Sequence, residues 1–412
     1  MPPILEQPYG DLTLRFTSAF NPSYNDTGSR SHLDGSFWTP VPPDGFFNLG
    51  TYGQSGYENP NGQQWALCVK ETTSGSGALA PPIRYDPIWN AHGTHGDGQG
   101  SFWRPVPPAG YVALGDVCVL GYNPPPLDAI RCVRIDLTYS GAIGALIWND
   151  QGSGAPMDVG VWDIEVLPGA SDQVGFIAAN TFVAVKNYDT PVSDVSCNVL
   201  MLPFPSNTRA TAGPPTLDGK VQPPDHTNPV VDRIVTVPFT AIADQQQTVG
   251  WQVANSPFYT IERAVSYSLV VFNNNLTSQS QTTSTAVTTG ITQTETETFS
   301  QTTGITVSYE YGVQAFGASH KVSVALSLEL GYAQSTSVSV MQSSTVVATL
   351  ETPPQHAAAS WAATHQLQLR RADGTPVGPP LTFDAVSSSF LEAQYPLPSG
   401  GARVMPHTVF AG

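Results

Sequence analysis

The sequence predicts an all-β protein with a three-repeat β-prism head, followed by an elongated antiparallel β-sheet body that carries an amphipathic hairpin. Three observations predict this fold class. Repeated segments of short apolar runs and Gly/Pro/Asn loops fill the first half, Ser/Thr-rich tracts dominate the second half, and strict apolar/polar alternation marks the hairpin between those tracts. We expect the head over residues 1–202, a Pro-rich linker over residues 203–232 and the body over residues 233–412.

The composition narrows the classes of function. Only 12% of the 412 residues are charged although 40% are hydrophobic, so Ser, Thr, Asn, Gln, Gly and Pro supply the polarity. The formal charge of −16 excludes nucleic acid as a partner, because phosphate binding requires clustered Lys and Arg. The sequence has no apolar run long enough for a membrane-spanning helix and no signal peptide. We therefore expect a protein that is soluble as made and is released by a non-classical route.

An internal repeat defines the head. The stretch Gly35-Ser-Phe-Trp-Thr-Pro-Val-Pro-Pro-Asp-Gly-Phe-Phe-Asn-Leu-Gly50 returns as Gly100-Ser-Phe-Trp-Arg-Pro-Val-Pro-Pro-Ala-Gly-Tyr-Val-Ala-Leu-Gly115. A third copy begins at Gly160 and lacks Pro-Val-Pro-Pro. One short sheet cannot bury its own face, so we expect three similar sheets to pack around a pseudo-threefold axis. The copies share a tryptophan (Trp38, Trp103 and Trp162) and a cysteine that we expect to be buried and reduced (Cys68, Cys132 and Cys197).

Equivalent loops of the head supply candidate receptor-binding residues. Each loop opens with Asn and reaches Asp before the conserved pattern of the repeat, and a carboxylate beside an aromatic ring can hold sugar hydroxyls. The alternative is that the three tryptophans fill the prism core and the aspartates cap turns. We favour this alternative for the tryptophans and leave it open for Asp34 and Asp97. The candidates are Asn25, Asp34, Asn90, Asp97, Asn149 and Asp158.

We find no enzyme signature. His92 and His95 lie between Asn90 and Asp97 and could suggest metal ligands, but the equivalent loops keep only Asn and Asp, so a turn-rich loop is favoured. No zinc pattern, nucleophile elbow or phosphate loop occurs. We therefore predict no catalytic residue, no metal and no cofactor.

The first half of the chain resembles the vacuolar-protein-sorting-associated (sixty-two) family. The shared pattern is Phe-Trp-x-Pro-Val-Pro-Pro-x-Gly-Tyr-x-x-Leu-Gly, seen at residues 37–50 and 102–115. The family's name records a link to sorting but supplies no chemistry. Similar modules look like accessory domains beside pore-forming proteins, so the resemblance implies a head that recognises a target.

The second half begins with a tract that is more than half Ser and Thr, over residues 277–304. Such a composition is compatible with disorder. Thr is a good strand former, however, and segments such as Thr292–Phe299 alternate, so we predict long polar strands here and again over residues 335–345.

The alternating segment over residues 305–332 predicts an amphipathic hairpin. Its arms, residues 305–315 and 322–332, each span 11 residues, and a transmembrane β-strand needs roughly 9 to 11. We expect Val313 opposite Val324 and expect the hairpin to lie on the surface of the resting protein. A hairpin packed on a water-soluble core would show the same alternation. The apolar, lipid-facing set is Ile305, Val307, Tyr309, Tyr311, Val313, Ala315, Val322, Val324, Leu326, Leu328, Leu330 and Tyr332.

The other face of the hairpin is polar and predicts the lining of a pore. It contains two carboxylates and no basic residue within the arms, so we expect a cation-selective channel. The pore-lining set is Thr306, Ser308, Glu310, Gln314, Ser323, Ser327 and Glu329, and the hairpin tip is Phe316, Gly317 and Ala318.

A Ser/Thr-rich strand, an amphipathic hairpin and a second Ser/Thr-rich strand occur in this order over residues 233–400, which resembles the aerolysin-like β-pore-forming toxins. The resemblance implies a cytolysin whose monomer or dimer binds a glycan or protein receptor on a target cell. It then oligomerises and inserts a β-barrel into the membrane. An insecticidal toxin is one such cytolysin. The alternatives are a non-lytic, lectin-like binding protein and an intracellular trafficking or membrane-associated protein.

Overall fold

Short strands and glycine-containing turns form the head, and longer strands form the body. The computed structural model describes residues 4–167, 174–191, 197–308, 312–317, 320–327, 329–332, 343–384 and 390–397. We call the described part of residues 1–202 the head and the described part of residues 203–397 the body. The described residues contain many antiparallel strands and two α-helices, which confirms the predicted all-β class.

Each repeat of the head folds into a similar run of strands. The first repeat contains β1 Glu6–Tyr9, β2 Leu12–Thr17, β3 Phe20–Asn25, β4 Gly35–Pro40, β5 Phe47–Asn48, β6 Tyr52–Ser55 and β7 Ala66–Glu71. The second contains β8 Leu79–Ala80, β9 Arg84–Asn90, β10 Gly100–Val106, β11 Tyr111–Val112, β12 Val117–Leu120 and β13 Cys132–Arg134. The third contains the 3-10 turn Ile135–Leu137, β14 Thr138–Ser140, β15 Ala142–Asn149, β16 Gly160–Glu165, β17 Gly175–Ile177, β18 Phe182–Val185 and β19 Asn198–Leu202.

Three equivalent sheets enclose the core of the prism. Their strand orders are β3-β4-β6, β9-β10-β12 and β15-β16-β18. One apolar cluster draws residues from all three sheets and contains Phe37, Phe102, Trp89 and Trp148, each at most 1% exposed. The Phe37 and Phe102 rings meet edge-on with centroids 4.7 Å apart, a favourable aromatic geometry. This shared core is the pseudo-threefold packing that the repeat predicts.

The conserved tryptophans of the repeat do not fill this core, so that prediction is wrong. Trp38 and Trp103 are half-buried and pack in separate small clusters on the other face of their sheets. Trp162 is buried in a third cluster outside the prism core. Side chains alternate across a strand, so the neighbouring Phe37 and Phe102 point inward and the tryptophans point away.

The four cysteines have no disulfide partner, and Cys68, Cys118 and Cys132 are buried whereas Cys197 is half-buried. Burial raises the pKa of Cys68 to about 12, so this thiol stays protonated at neutral pH. The prediction of reduced core cysteines is confirmed for Cys68 and Cys132. Cys197 is only partly enclosed.

The body combines one large sheet with a two-stranded ribbon. Its long sheet has the order β20-β21-β22-β28-β29, with β30 also paired to β28, and the ribbon consists of β23 and β27. In chain order the elements are β20 Ser206–Thr208, β21 Val230–Pro238, the 3-10 turn Phe239–Ala241, α1 Val249–Asn255, β22 Phe258–Asn274, β23 Gln281–Thr289, α2 Gln293–Thr303, β24 Ile305–Ser308, β25 Gly312–Phe316, β26 Val322–Ala325, β27 Ser344–Thr352, β28 Ala357–Arg370, β29 Leu381–Asp384 and β30 Leu391–Tyr395. The Pro-rich segment 203–232 packs along the body, since β20 pairs with β21.

Helix α2 corrects the prediction of a strand over Thr292–Phe299. Thr292 accepts a hydrogen bond from the backbone N–H of Glu295, and the Glu295 side chain accepts one from the Thr292 N–H, which is a capping box. The helix ends at Gly304, whose φ of 73° is left-handed. Phe299 and Thr303, four residues apart, are its buried residues. The start and stop signals were therefore present in the sequence, and the Thr/Glu alternation concealed them.

Candidate functional site

The predicted hairpin segment, residues 305–332, forms three strands in the structure. Ile305 pairs with Ala315 and Val307 with Val313, so the first predicted arm folds back on itself as the pair β24·β25. The second hairpin, β25·β26, places Ala315 opposite Val324. The expected pairing of Val313 with Val324 is therefore wrong by two residues. A shift of two leaves every side chain on its predicted face, because the period of a strand is two.

The apolar face of this segment is buried. All of its described apolar side chains are at most 5% exposed and belong to the largest hydrophobic cluster of the protein, which contains residues of both head and body. The expectation that the resting hairpin lies on the surface is therefore wrong. Tyr309, Tyr311, Leu328 and Ala318 lie outside the described residues. The buried set is Ile305, Val307, Val313, Ala315, Val322, Val324, Leu326, Leu330 and Tyr332.

The polar face differs between the two halves of the segment. Thr306 is exposed and Gln314 half-buried, whereas Ser323 and Ser327 are buried. The Ser327 hydroxyl accepts a hydrogen bond of 2.8 Å from the backbone N–H of Val313, which satisfies its buried oxygen. Glu329 is half-buried. Glu310 and the side chain of Ser308 lie outside the part of the chain that the structure describes.

Gly317, at the end of β25·β26, is buried, whereas His320 is exposed. The backbone N–H of His320 donates to the Gly317 carbonyl at 2.8 Å, and the Gly317 N–H donates to the Val322 carbonyl at 3.1 Å. A Cβ at Gly317 would overlap the Thr240 carbonyl oxygen, so only glycine fits this position. Of the predicted tip, Gly317 is therefore packed against the body in this state, and Ala318 lies outside the described residues. The side chain of Phe316 is not among those described.

The two strands that flank the segment form the polar ribbon β23·β27. Gln281 pairs with Thr352 and Thr289 with Ser344, without a register shift. Exposure alternates along β23, and the Ser284 and Thr349 hydroxyls meet at 3.2 Å. The prediction of polar strands is therefore confirmed over residues 281–289 and at the start of β27. Thr289 and Ser344, which are paired at one end of this ribbon, flank residues 290–343 in the sequence.

A buried ion pair holds the C-terminal end of the segment. Asp232 is completely buried, and both of its carboxylate oxygens accept hydrogen bonds from Arg263, at 2.9 and 2.5 Å. The guanidinium lies 5.3 Å from the centre of the Tyr332 ring. The Tyr332 hydroxyl is 3.2 Å from Nδ1 of His365. Sequence reasoning missed these residues because isolated Asp, Arg and His in separate strands carry no spacing signal.

Burial lowers the pKa of His365 to about 4, and the positive charge of Arg263 acts in the same direction. The imidazole is therefore neutral at pH 7. Tyr332, Arg263 and Phe383 surround it. Protonation of His365 would place a second positive charge beside Arg263.

The predicted Asn residues of the head make equivalent turns. The side-chain oxygens of Asn25, Asn90 and Asn149 each accept a hydrogen bond from the backbone N–H two residues later, at 3.1 to 3.2 Å. The Asp34 and Asp158 carboxylates accept hydrogen bonds from the Tyr57 and Tyr188 hydroxyls, at 3.0 and 2.8 Å. Asp97 is exposed. The role of all six residues in receptor binding stays a prediction.

Two buried aspartates of the same loops were missed. Asp26 accepts a hydrogen bond from the Trp148 indole N–H at 2.9 Å, and Asp150 accepts one from the Trp89 indole at 3.0 Å. Each bond joins one repeat to another. Desolvation raises the pKa of Asp150. The Asn-Asp dipeptides at 25–26 and 149–150 were the available signal, and the second repeat has Ala91 at the equivalent place.

The described residues contain neither a membrane-spanning helix nor a cluster of metal ligands. No helix there is long and apolar enough to cross a membrane. No group of three or more His, Cys, Asp or Glu side chains in the same part of the chain is arranged to hold a metal ion.

Two family models match the chain. Residues 9–202 match the family described as vacuolar protein sorting-associated protein 62. Residues 231–377 match the family described as insecticidal crystal toxin, P42. The first match confirms the resemblance that the head motifs indicated, and the second confirms that the body is similar to a toxin. None of the curated proteins matches the chain.

Two solved structures are similar to the chain. GNIP1Aa from Chromobacterium piscinae is 27% identical, with a TM-score of 0.38, over 46% of this chain and 37% of its own length. Cry35Ab1 is 11% identical, with a TM-score of 0.37, over 95% of this chain and 91% of its own. The chain thus spans little more than a third of GNIP1Aa. It joins a head that matches the vacuolar protein sorting-associated protein 62 family to a body that matches a family of insecticidal crystal toxins.

Proposed function

We propose that this protein is a β-pore-forming toxin. Its head binds a receptor on the target cell, copies of the chain assemble on the membrane, and the segment between β23 and β27 extends into a hairpin that joins a transmembrane β-barrel. The toxin family's description makes insect cells the first target to examine. The observation that carries the proposal is the ribbon β23·β27, which flanks a buried segment with two chemically distinct faces.

The register of the ribbon supports one extended form of the segment. Thr289 pairs with Ser344, and the same register continued inward places Val307 opposite Leu326 and Thr306 opposite Ser327. Most pairs then match in polarity, and the exceptions are Val313 opposite His320 and Ser308 opposite Ala325. The tip of this hairpin falls between Phe316 and Gly317, within the predicted tip.

Membrane insertion requires a new environment for side chains that the folded protein already buries. If the segment left the core in water, each Å² of apolar surface that it exposed would cost about 25 cal/mol of free energy. The segment therefore stays folded back in water. A lipid bilayer offers the same side chains an apolar environment, provided that a closed barrel satisfies the backbone. The same apolar face is buried against the protein in the folded-back state and against lipid in the inserted state. This explains why only one face of the segment is apolar.

A disulfide that blocks extension tests the proposal. Thr306 and Gln314 are paired across β24·β25 in the folded-back state, and paired residues of adjacent strands lie within the Cα range of a disulfide. In the extended hairpin they lie on one strand, about 27 Å apart. The double variant Thr306→Cys, Gln314→Cys should release no dye from vesicles of target-cell lipids while it is oxidised. Reduction should restore release to the wild-type level.

The matched control is Ser284→Cys, Thr349→Cys, which joins the ribbon in a register that the extended hairpin retains. This variant should release dye whether oxidised or reduced. Equal release by the oxidised form of the first variant would refute extension of this segment. Failure of the wild type to release dye, together with intact cell binding, would favour the lectin-like or trafficking alternative instead.

A further inference from the structure

A strand of the head completes the sheet that holds the hairpin segment. Strand β17 lies between β19 of the head and β26 of the body, in the order β14-β19-β17-β26-β25-β24. Phe176 pairs with Ser323 and Ile177 with Val322. The head therefore makes main-chain contact with the part of the chain that we propose to leave for the membrane.

Two further main-chain hydrogen bonds extend this contact along residues 320–323. The Ala178 N–H donates to the Lys321 carbonyl at 2.8 Å, and the Val166 N–H donates to the His320 carbonyl at 2.9 Å. Val166 directly follows β16, and Ala178 directly follows β17. Two separate parts of the third repeat therefore hold the same short segment. This third repeat lacks the Pro-Val-Pro-Pro sequence of the other two.

Lys321 anchors the contact through its charge. Only 3% of the residue is exposed, and its ammonium group donates to the Asp163 carboxylate at 2.5 Å and to the Ile164 carbonyl at 2.7 Å. Beside it, Nδ1 of His320 lies 3.3 Å from the Glu165 carboxylate. A buried ammonium needs its partners, because separation of the pair leaves an uncompensated charge. The sequence between Arg263 and Lys321 contains no Lys or Arg.

We propose that the third repeat of the head is an intramolecular latch that keeps the hairpin segment folded until the head releases residues 320–326. This inference rests on the proposed function. In the extended hairpin, residues 320–326 pair with residues 307–313 of the same chain, so β26 must first leave β17. Separation of the latch breaks the β17·β26 pairing and the Asp163–Lys321 ion pair together. The surface of the third repeat that contacts β26 thus controls whether the hairpin segment can extend.

An engineered disulfide across the latch tests this directly. Ala178 and Lys321 share a main-chain hydrogen bond, so the adjacent pair Ile177 and Val322 is a non-hydrogen-bonded pair, whose side chains lie closest. The variant Ile177→Cys, Val322→Cys, made in a Cys197→Ser background, should lose more than nine-tenths of its dye release when oxidised. Reduction should restore it, and vesicle binding should be unchanged in both forms.

The control is Phe176→Cys, Met201→Cys in the same background, which joins β17 to β19 within the head and leaves residues 320–326 free. It should release dye in both redox states. Equal release by oxidised and reduced Ile177→Cys, Val322→Cys would overturn the latch and leave the proposed function intact.

Hydrogen exchange tests the latch without any membrane. Asp163→Asn removes the charge that faces Lys321 and should speed amide exchange in residues 322–325 at least tenfold, with exchange in β9 to β12 unchanged. Asp128→Asn, at an exposed carboxylate of the head that lies outside β9 to β12, should change neither region. Unchanged exchange over residues 322–325 in Asp163→Asn would overturn the latch. If the wild type releases no dye, the proposed function fails, and this exchange measurement still decides the latch.

Discussion

At the scale of single residues, the carboxylates in the loops of the head are of two kinds. Some are buried and stabilise the fold, and others are exposed to solvent. Asp26 is 3% exposed and accepts hydrogen bonds from the Trp148 indole, the Gly35 N–H and the Tyr57 hydroxyl, each at 2.9 Å. Asp34 is exposed and accepts a hydrogen bond from Tyr57. The sequence pointed to Asp34 because it precedes the conserved pattern. Asp26 instead stabilises the fold, because its buried hydrogen-bond donors could not bond to water if the carboxylate were removed.

This difference gives a stability prediction. Asp26→Ala leaves the buried Trp148 and Gly35 donors without an acceptor, so it should lower the free energy of unfolding by about 3 kcal/mol. Asp34→Ala should lower it by no more than about 0.5 kcal/mol, which leaves that variant suitable for receptor-binding assays. Urea unfolding monitored by tryptophan fluorescence measures both. Similar losses in the two variants would contradict the assignment of Asp26 as the structural residue.

His365 gives a prediction for pH. The folded pKa of about 4 lies below the ordinary 6.5, so the unfolded chain binds the proton more tightly. The stability that neutral His365 contributes is therefore complete above pH 6.5 and is lost as the pH falls towards 4, by about 3 kcal/mol in total.

The variant His365→Gln keeps a polar group near Tyr332 and cannot titrate. Between pH 7 and pH 4.5 the wild type should lose about 2 kcal/mol more of its unfolding free energy than this variant, as measured by urea unfolding at each pH. Parallel losses in the two proteins would show that His365 does not titrate in a buried site.

At the scale of elements, the sequence predicted which strands exist better than how the hairpin segment folds. The repeat of the head, the polar ribbon strand β23 and the two faces of residues 305–332 follow from local pattern, and the structure has them. The fold-back of β24 onto β25 does not follow from pattern. An 11-residue alternating run suits one long strand and two short strands equally, and packing against the rest of the protein decides between them.

Helix α2 shows the limit of an alternation argument. Thr294, Glu295, Thr296 and Glu297 alternate like a strand, yet the capping box and Gly304 define a helix whose buried residues are Phe299 and Thr303. Helix α2 has one apolar residue among its eleven, so the spacing of apolar residues cannot distinguish a helix from a strand here. Start and stop signals carry the assignment in such a segment.

At the scale of the whole molecule, the proposed mechanism requires one stretch of chain to be buried in two environments. In the state described here, head and body share a hydrophobic core that includes the apolar face of residues 305–332, and a head strand pairs with β26. The formal charge of −16 opposes close approach to an anionic membrane, so the proposed mechanism requires specific binding by the head. In that mechanism, the head both recognises the receptor and releases the segment.

In the proposed pore, the polar face of residues 305–332 lines the aqueous channel, and the ion selectivity of that channel can be measured in a planar bilayer. Glu310 and Glu329 are the carboxylates of that face, and they outnumber Lys321, which is the one Lys or Arg within residues 305–332. Reversal potentials in a potassium chloride gradient should show cation selectivity at pH 7 that falls sharply in the double variant Glu310→Gln, Glu329→Gln. Anion selectivity, or cation selectivity unchanged in the double variant, would contradict the account.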